Sequence, residues 1–242
     1  MILEMDLGNS RLKWREVDQD GSKGPVGWLD NSALTGGLEI ALNGIPNRIR
    51  VASVRGPADE AALTSWADAR FGILPEFARA TARAAGVQNG YATPEALGVD
   101  RWLAILSAFS AQPEPLVVMD FGTAMTADVV AAGGRHLGGF IAPGLSTMKR
   151  SLLRRTDRIR FDEALPSDSL LPATDTQRAV SRGIMLAVTG FANLCWAESL
   201  AISGAAKAIL TGGDAAAVAP YLTFPFEIRP DLVLDGLTVA LP

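Results

Sequence analysis

MILEMDLGNSRLKW, residues 1–14, reads as a strand, a tight turn and a returning strand. Ile2 and Leu3 form an apolar run, Asp6-Leu7-Gly8-Asn9-Ser10 carries the turn, and Leu12 and Trp14 resume an alternating pattern beyond it. The result is a β-hairpin with an acid at its mouth. The same order returns in mid-chain. Leu116-Val117-Val118-Met119 is apolar, Asp120-Phe121-Gly122-Thr123-Ala124 repeats acid, apolar, glycine, polar, small, and Ala127-Asp128-Val129-Val130 reads as the return strand. A repeat separated by about half the chain predicts two similar halves facing one another. Each half brings one carboxylate and one glycine-opened turn, where backbone N–H groups can approach an anion closely and the carboxylate can hold a neutralising cation. A nucleoside triphosphate site needs those parts; a plain hairpin turn uses the same residues.

Composition limits the alternatives. The chain has 242 residues, 48% hydrophobic and 20% charged, with a net charge of −4, which fits a soluble α/β protein and gives no electrostatic footprint for nucleic acid. The amino terminus enters an apolar strand interrupted by Glu4 and Asp6, unlike a signal peptide or membrane anchor, so the expected compartment is the cytoplasm. One cysteine, Cys195, and one histidine, His136, cannot build a Cys/His zinc cluster. Cys195 reads as a packed thiol in a helix and His136 as a structural or exposed residue rather than a catalytic one. None of the four lysines follows a glycine, so the G-x-x-x-x-G-K-[ST] phosphate loop is absent, as is G-x-G-x-x-G.

Strand and helix patterns alternate through the first half: a helix over residues 32–42, a strand over 48–54, a helix from Pro57 to Phe71 and a short strand over 72–77. Residues 86–98, GVQNGYATPEALG, are irregular and end where Val99-Asp100-Arg101-Trp102 opens a helix. Asp100 in that first turn reads either as a charge stabilising the helix dipole or as a functional acid. Gln112-Pro113-Glu114-Pro115 breaks the chain, predicting domains of residues 1–113 and 114–242. Beyond it come LGGFIAPG, residues 137–144, a helix over 145–153, and the cluster Arg154, Arg155, Arg158 and Arg160, which is a solvated loop or an anion contact. Residues 176–203 give the longest helical pattern. Its apolar middle, residues 183–197, is shorter than the ~20 residues a membrane span requires, so a buried or dimer-forming helix is expected. A strand at Ala208-Ile209-Leu210 leads into a third glycine turn, Thr211-Gly212-Gly213-Asp214, then a strand over 221–229 and a last helix over 232–240.

Taken together, these segments resemble the type III pantothenate kinases of the actin, hexokinase and Hsp70 superfamily. The resemblance covers nearly the whole chain: Asp6 to Ser10 with Lys13-Trp14, Asn89-Gly90-Tyr91, Gly98-Val99-Asp100-Arg101-Trp102, Asp120 to Ala124, Gly138 to Gly144, Thr176, and Thr211 to Asp214. Of these, G-V-D-R ahead of the second D-x-G-T is the specific part.

The resemblance implies two actin-like, ribonuclease H-like halves with mixed sheets flanked by helices and the nucleotide in the cleft between them. It implies ATP-dependent phosphorylation of pantothenate, with Mg2+ and a monovalent cation, potassium or ammonium. By matching positions, Asp6, Leu7, Gly8, Asn9, Ser10, Arg11, Leu12 and Lys13 wrap the phosphates with Thr123. Asp120 holds the monovalent ion; Tyr91, Gly98, Val99, Asp100, Arg101 and Thr176 bind pantothenate; Asp100 is the catalytic base. A homodimer without nucleic-acid or membrane partners is expected. Two departures stand out: Ser10 replaces a frequent threonine, and Asp175 a frequent asparagine, adding negative charge near an acid-binding pocket. Another small-molecule kinase of the superfamily and a non-catalytic nucleotide-binding regulator are the rival readings.

Overall fold

The structure, a computed structural model, describes residues 1–30, 38–156, 159–162, 169–205 and 207–242. It divides into two compact units. One comprises Met1–Ala111 with Leu232–Pro242, the other Gln112–Asp231. The chain passes from the first to the second between Ala111 and Gln112 and returns between Asp231 and Leu232.

In the first unit, β1 (Ile2–Leu7) pairs antiparallel with β2 (Arg11–Val17), which pairs with β3 (Gly27–Asp30). On its other side β1 runs parallel to β4 (Arg48–Ser53), and β4 to the short β5 (Glu76–Phe77), giving the order β3-β2-β1-β4-β5. Period-two alternation decides the faces. Leu3, Met5, Leu7, Leu12, Ile49 and Val51 turn to a core closed by Leu63 and Ala67 of α1 (Pro57–Phe71), and each of the larger side chains contributes about 1.5–3 kcal/mol by burial. Proline opens α1, where its missing N–H costs nothing, and Gly72 ends it at φ +68°. A two-strand hairpin, β6 (Arg83–Ala84) with β7 (Val87–Gln88), and a 3₁₀ turn at Pro94–Ala96 give partial order to the segment expected to be irregular, and lead to α2 (Val99–Ala111). The helix expected over residues 32–42 lies partly outside the described residues, and no helix forms over residues 38–42.

The second unit repeats the topology. Its strands β8 (Leu116–Phe121), β9 (Ala124–Ala131) and β10 (Arg135–Pro143) form an antiparallel meander. β11 (Lys207–Thr211) runs parallel to β8 and β12 (Phe226–Ile228) parallel to β11, so the order β10-β9-β8-β11-β12 matches β3-β2-β1-β4-β5 strand for strand. Helices α3 (Leu145–Arg155) and α4 (Thr176–Ser203) pack on this sheet. The buried face of α4 is Ser181, Ile184, Met185, Val188, Thr189, Ala192, Cys195 and Ser199. At 28 residues this helix is long and apolar enough to cross a membrane, more than the shorter run counted from the sequence; one stripe of it packs in the unit's core, and 39% of its most apolar window is buried. A short turn of helix, α5 (Ala215–Val218), follows the third glycine turn.

The last helix, α6 (Leu232–Ala240), belongs to the first unit and not to the carboxyl-terminal half expected for it. Gly236 explains how: a Cβ there would strike the backbone of Leu103, so glycine lets α6 lie directly on α2. Polar ties fix the arrangement. Glu4, fully buried, accepts from Arg15 Nε (2.8 Å), Arg50 Nη1 (3.2 Å) and Thr238 Oγ1 (2.9 Å), and Arg15 also pairs with Asp235 (2.8 Å).

Candidate active site

The phosphate-hairpin candidate begins with the register Asp6↔Lys13 and Leu7↔Leu12. Gly8 N–H donates to the Arg11 carbonyl (3.0 Å), closing a turn that leaves Asn9, Ser10 and Arg11 exposed. Arg55 steadies it by donating to the Asn9 carbonyl (3.4 Å) while its Nε holds Asp59 (2.8 Å). Leu7 and Leu12 point into the core, so they support the turn rather than line it. Loss of water around the Asp6 carboxyl pushes its pKa up to about 6. The Lys13 charge opposes that rise and the Asp100 charge adds to it.

Asp100 occupies the first turn of α2, where its Oδ1 accepts the backbone N–H of Arg101 (2.8 Å). A Cβ at position 98 would lie 2.7 Å from that oxygen, so Gly98 is the residue that leaves the carboxylate its place. The neighbouring Arg101 is buried, donates to the Tyr91 hydroxyl (2.8 Å), and carries its guanidinium carbon 5.6 Å from the Tyr91 ring centre. Asn89, quoted in the sequence motif but not expected to hold the site, does so. It accepts from Tyr91 N–H (3.0 Å) and donates to the carbonyls of Thr81 and Pro94 (3.2 Å each). Val99 is buried beneath the turn. The structure therefore sets Asp6 opposite Lys13 across the hairpin, and separately Asp100 beside Arg101, which holds Tyr91, all within the first unit.

Asp120 ends β8 in the second unit, beside Thr211 of β11. Two glycines lie beside it. Gly212, at φ +92°, would drive a Cβ into the Asp120 carboxylate and the Phe121 carbonyl, and a Cβ at position 122 would lie 3.3 Å from the same Oδ1; Gly144 packs on the Gly122 carbonyl. Asp214 N–H donates to Phe121 O (2.9 Å), and Gly144 N–H and Thr147 Oγ1 donate to Thr123 O (3.0 and 2.7 Å), leaving the Thr123 side chain exposed. Thr176 opens α4 in the same unit. Asp175 is the cap of that helix: its carboxylate accepts Arg178 N–H (2.9 Å), and that bond, then the Arg178 guanidinium, holds its pKa below the usual carboxylate range. The charge that replaces asparagine thus has a local counterpart.

His136 is fully buried and bonded to Asp128 (Nε2–Oδ1 2.9 Å) between β10 and β9, a structural pair as expected. Arg158 lies outside the described residues; Arg154 and Arg155 close α3, and Arg160 donates to the carbonyls of Thr156 and Ile159. Among the described residues no three His, Cys, Asp or Glu side chains form a metal-binding group.

Solved structures carry the same fold. A conserved candidate Baf family transcriptional activator from Campylobacter jejuni matches with a TM-score of 0.61 at 22% identity, over 98% of this chain and 95% of that one. A candidate 2-dehydro-3-deoxygalactonokinase from Sinorhizobium meliloti matches at 0.58 and 14%, over 99% and 98%. The class is therefore the actin-like α/β fold shared with sugar kinases. Sequence narrows it. A sequence model of the type III pantothenate kinases matches residues 2–198, and a type III pantothenate kinase from Pseudomonas paraeruginosa is 40% identical over 100% of this chain and 99% of its own length. The chain belongs to the type III pantothenate kinase family.

Proposed function

We propose that the protein transfers the γ-phosphoryl group of ATP to the primary hydroxyl of pantothenate, giving 4'-phosphopantothenate and ADP, the first step of coenzyme A synthesis. The observation that carries the reading is the first turn of α2, where Gly98 makes room for the Asp100 carboxylate beside a buried Arg101 held by the Tyr91 hydroxyl. As the new oxygen–phosphorus bond forms and the bond to ADP breaks, the alcohol proton passes to the Asp100 carboxylate. Arg101, braced by Tyr91, takes the pantothenate carboxylate through its forked N–H groups, and Val99 and Gly98 shape that pocket. Gly8, Asn9, Ser10 and Arg11 present backbone and side-chain donors to the phosphates, with Lys13.

The residues fit both cations. Asp6, a hard carboxylate at the mouth of the phosphate hairpin, would hold Mg2+ carried in with ATP. Asp120, whose carboxylate lies beside the glycine positions 122 and 212, would offer a hard oxygen to potassium or ammonium. When bound, these ions would neutralise charge developing on the transferred group. The working form is a cytoplasmic homodimer. Its contact is the face of α4 that carries Leu186 and Leu194, exposed at 54% and 63%, with Leu200.

The test is coupled ADP release with Mg-ATP and pantothenate in potassium and in sodium buffer, with the product identified by mass. Pantothenate-dependent turnover, faster in potassium, is expected. Turnover with a sugar but not with pantothenate would replace this substrate, and equal rates in the two salts would remove the role given to Asp120.

A further inference from the structure

We infer that Trp28 is a positioning residue for ATP: its ring holds the Arg11 guanidinium over the phosphate hairpin, and this rests on the reading of that hairpin given above. Asp6 lies opposite Lys13, and Lys13 opposite Trp28, so the three form one row across β1, β2 and β3. Directly opposed residues in antiparallel strands share a face, and Arg11, two residues from Lys13 along β2, shares it as well. The indole therefore stands on the Asp6 side of the sheet.

Burial gives Trp28 little reason to be there. It is 55% exposed, on the outermost strand of the first unit's sheet, while Trp14 and Leu29 supply the aromatic and aliphatic packing beneath. What the ring does contact is the Arg11 guanidinium, whose carbon sits 4.5 Å from the ring centre. A guanidinium stacked flat on an indole keeps its N–H groups directed outward in its own plane. An unstacked arginine must give up more rotamer freedom when it meets an anion. Arg11 is a turn residue of the hairpin, beside Gly8, so an anion cradled by the turn is within the reach of its fork. The ligand chemistry is a polyphosphate with its counter-ion, and the contribution of Trp28 is to keep one donor set aimed at it.

The experiment is calorimetric titration of the full chain with Mg-ATP, together with ADP-release kinetics, for wild type, Trp28→Phe, Trp28→Leu, Arg11→Ala and the Trp28→Leu/Arg11→Ala double variant. Thermal midpoints establish that each is folded. Trp28→Leu is expected to weaken Mg-ATP binding about two- to fivefold and raise KM for ATP by the same factor, with kcat and KM for pantothenate unchanged. Trp28→Phe should recover most of that loss, and Trp28→Leu should add nothing once Arg11 is alanine. Wild-type Mg-ATP affinity in Trp28→Leu, or the same loss in the Arg11→Ala background, would overturn the inference. The two readings fail separately: the titration needs no acceptor, so lost ATP affinity without pantothenate turnover would refute the substrate alone, and pantothenate turnover indifferent to Trp28 would refute the positioning role alone. A wild-type chain that does not bind Mg-ATP would refute both.

Discussion

Asp6 is held in its site against its own charge. Its pKa, about 6 instead of the ordinary 3.8, means that between those values the folded state binds the proton that the unfolded state has released. Stability of the metal-free protein therefore falls as pH rises through that window, and the full cost stands above it. Asp6→Asn in EDTA should raise the thermal midpoint at pH 8 and leave it nearly unchanged below pH ~4, while Mg-ATP binding is lost. An equal or lower midpoint at pH 8 would contradict that cost. The sequence placed this acid at a hairpin mouth, because turn residues between apolar runs are a local signal. It left Asp100 undecided between helix charge and base. An acid at a helix start looks the same in both roles, and the room that Gly98 leaves for its carboxylate shows only in the fold. Asn89 escaped the site reading for the same reason: its hydrogen bonds reach Thr81 and Pro94, neither of which marks a site by itself.

Strands and helices were more legible than their neighbours. Apolar periodicity located β1, β2, β4, α1, α2, α4 and α6, but chain order suggested the wrong unit for α6. Its true contacts, Gly236 on Leu103, Asp235 with Arg15 and Thr238 with Glu4, pair residues from opposite ends of the chain. Glu4, Arg15 and Arg50 alternate with apolar residues as a solvated face would, so nothing local marked them as buried. Burial raises the pKa of Asp235, yet bonds from Lys23 and Arg15 outweigh it and leave the net value low, so its stabilising share is present above its usual pKa and is lost as pH falls through the lowered one. Glu4 matters more. Glu4→Gln leaves Arg15 and Arg50 buried with their counter-charge removed and should cost about 3–5 kcal/mol, read as a lower urea midpoint. A change below ~1 kcal/mol would show that the network contributes little. The strand expected over residues 221–229 contracts to Phe226–Ile228, since Pro220 and Pro225 restrict pairing on that edge.

Across the molecule, the repeat seen as two D-x-G turns proves to be a repeat of a five-strand order, with the acid next to the end of its middle strand, β1 or β8. A turn signature reveals a repeated motif, whereas strand order depends on long-range pairing that sequence periodicity does not encode. The proposed dimer is a claim at this scale. Light scattering at micromolar concentration should give twice the chain mass, and Leu194→Glu on α4 should shift it to one; a monomeric wild type would reject the interface. Pantothenate phosphorylation with Asp100 as base is the central claim, and ADP release from Mg-ATP in potassium buffer, with and without pantothenate, tests it most directly when wild type and Asp100→Asn are run side by side. The expected result is pantothenate-dependent turnover that falls about 10²–10⁴-fold in the folded variant while Mg-ATP binding persists. Turnover in Asp100→Asn equal to wild type, or ADP release by the wild type that ignores pantothenate, would contradict it.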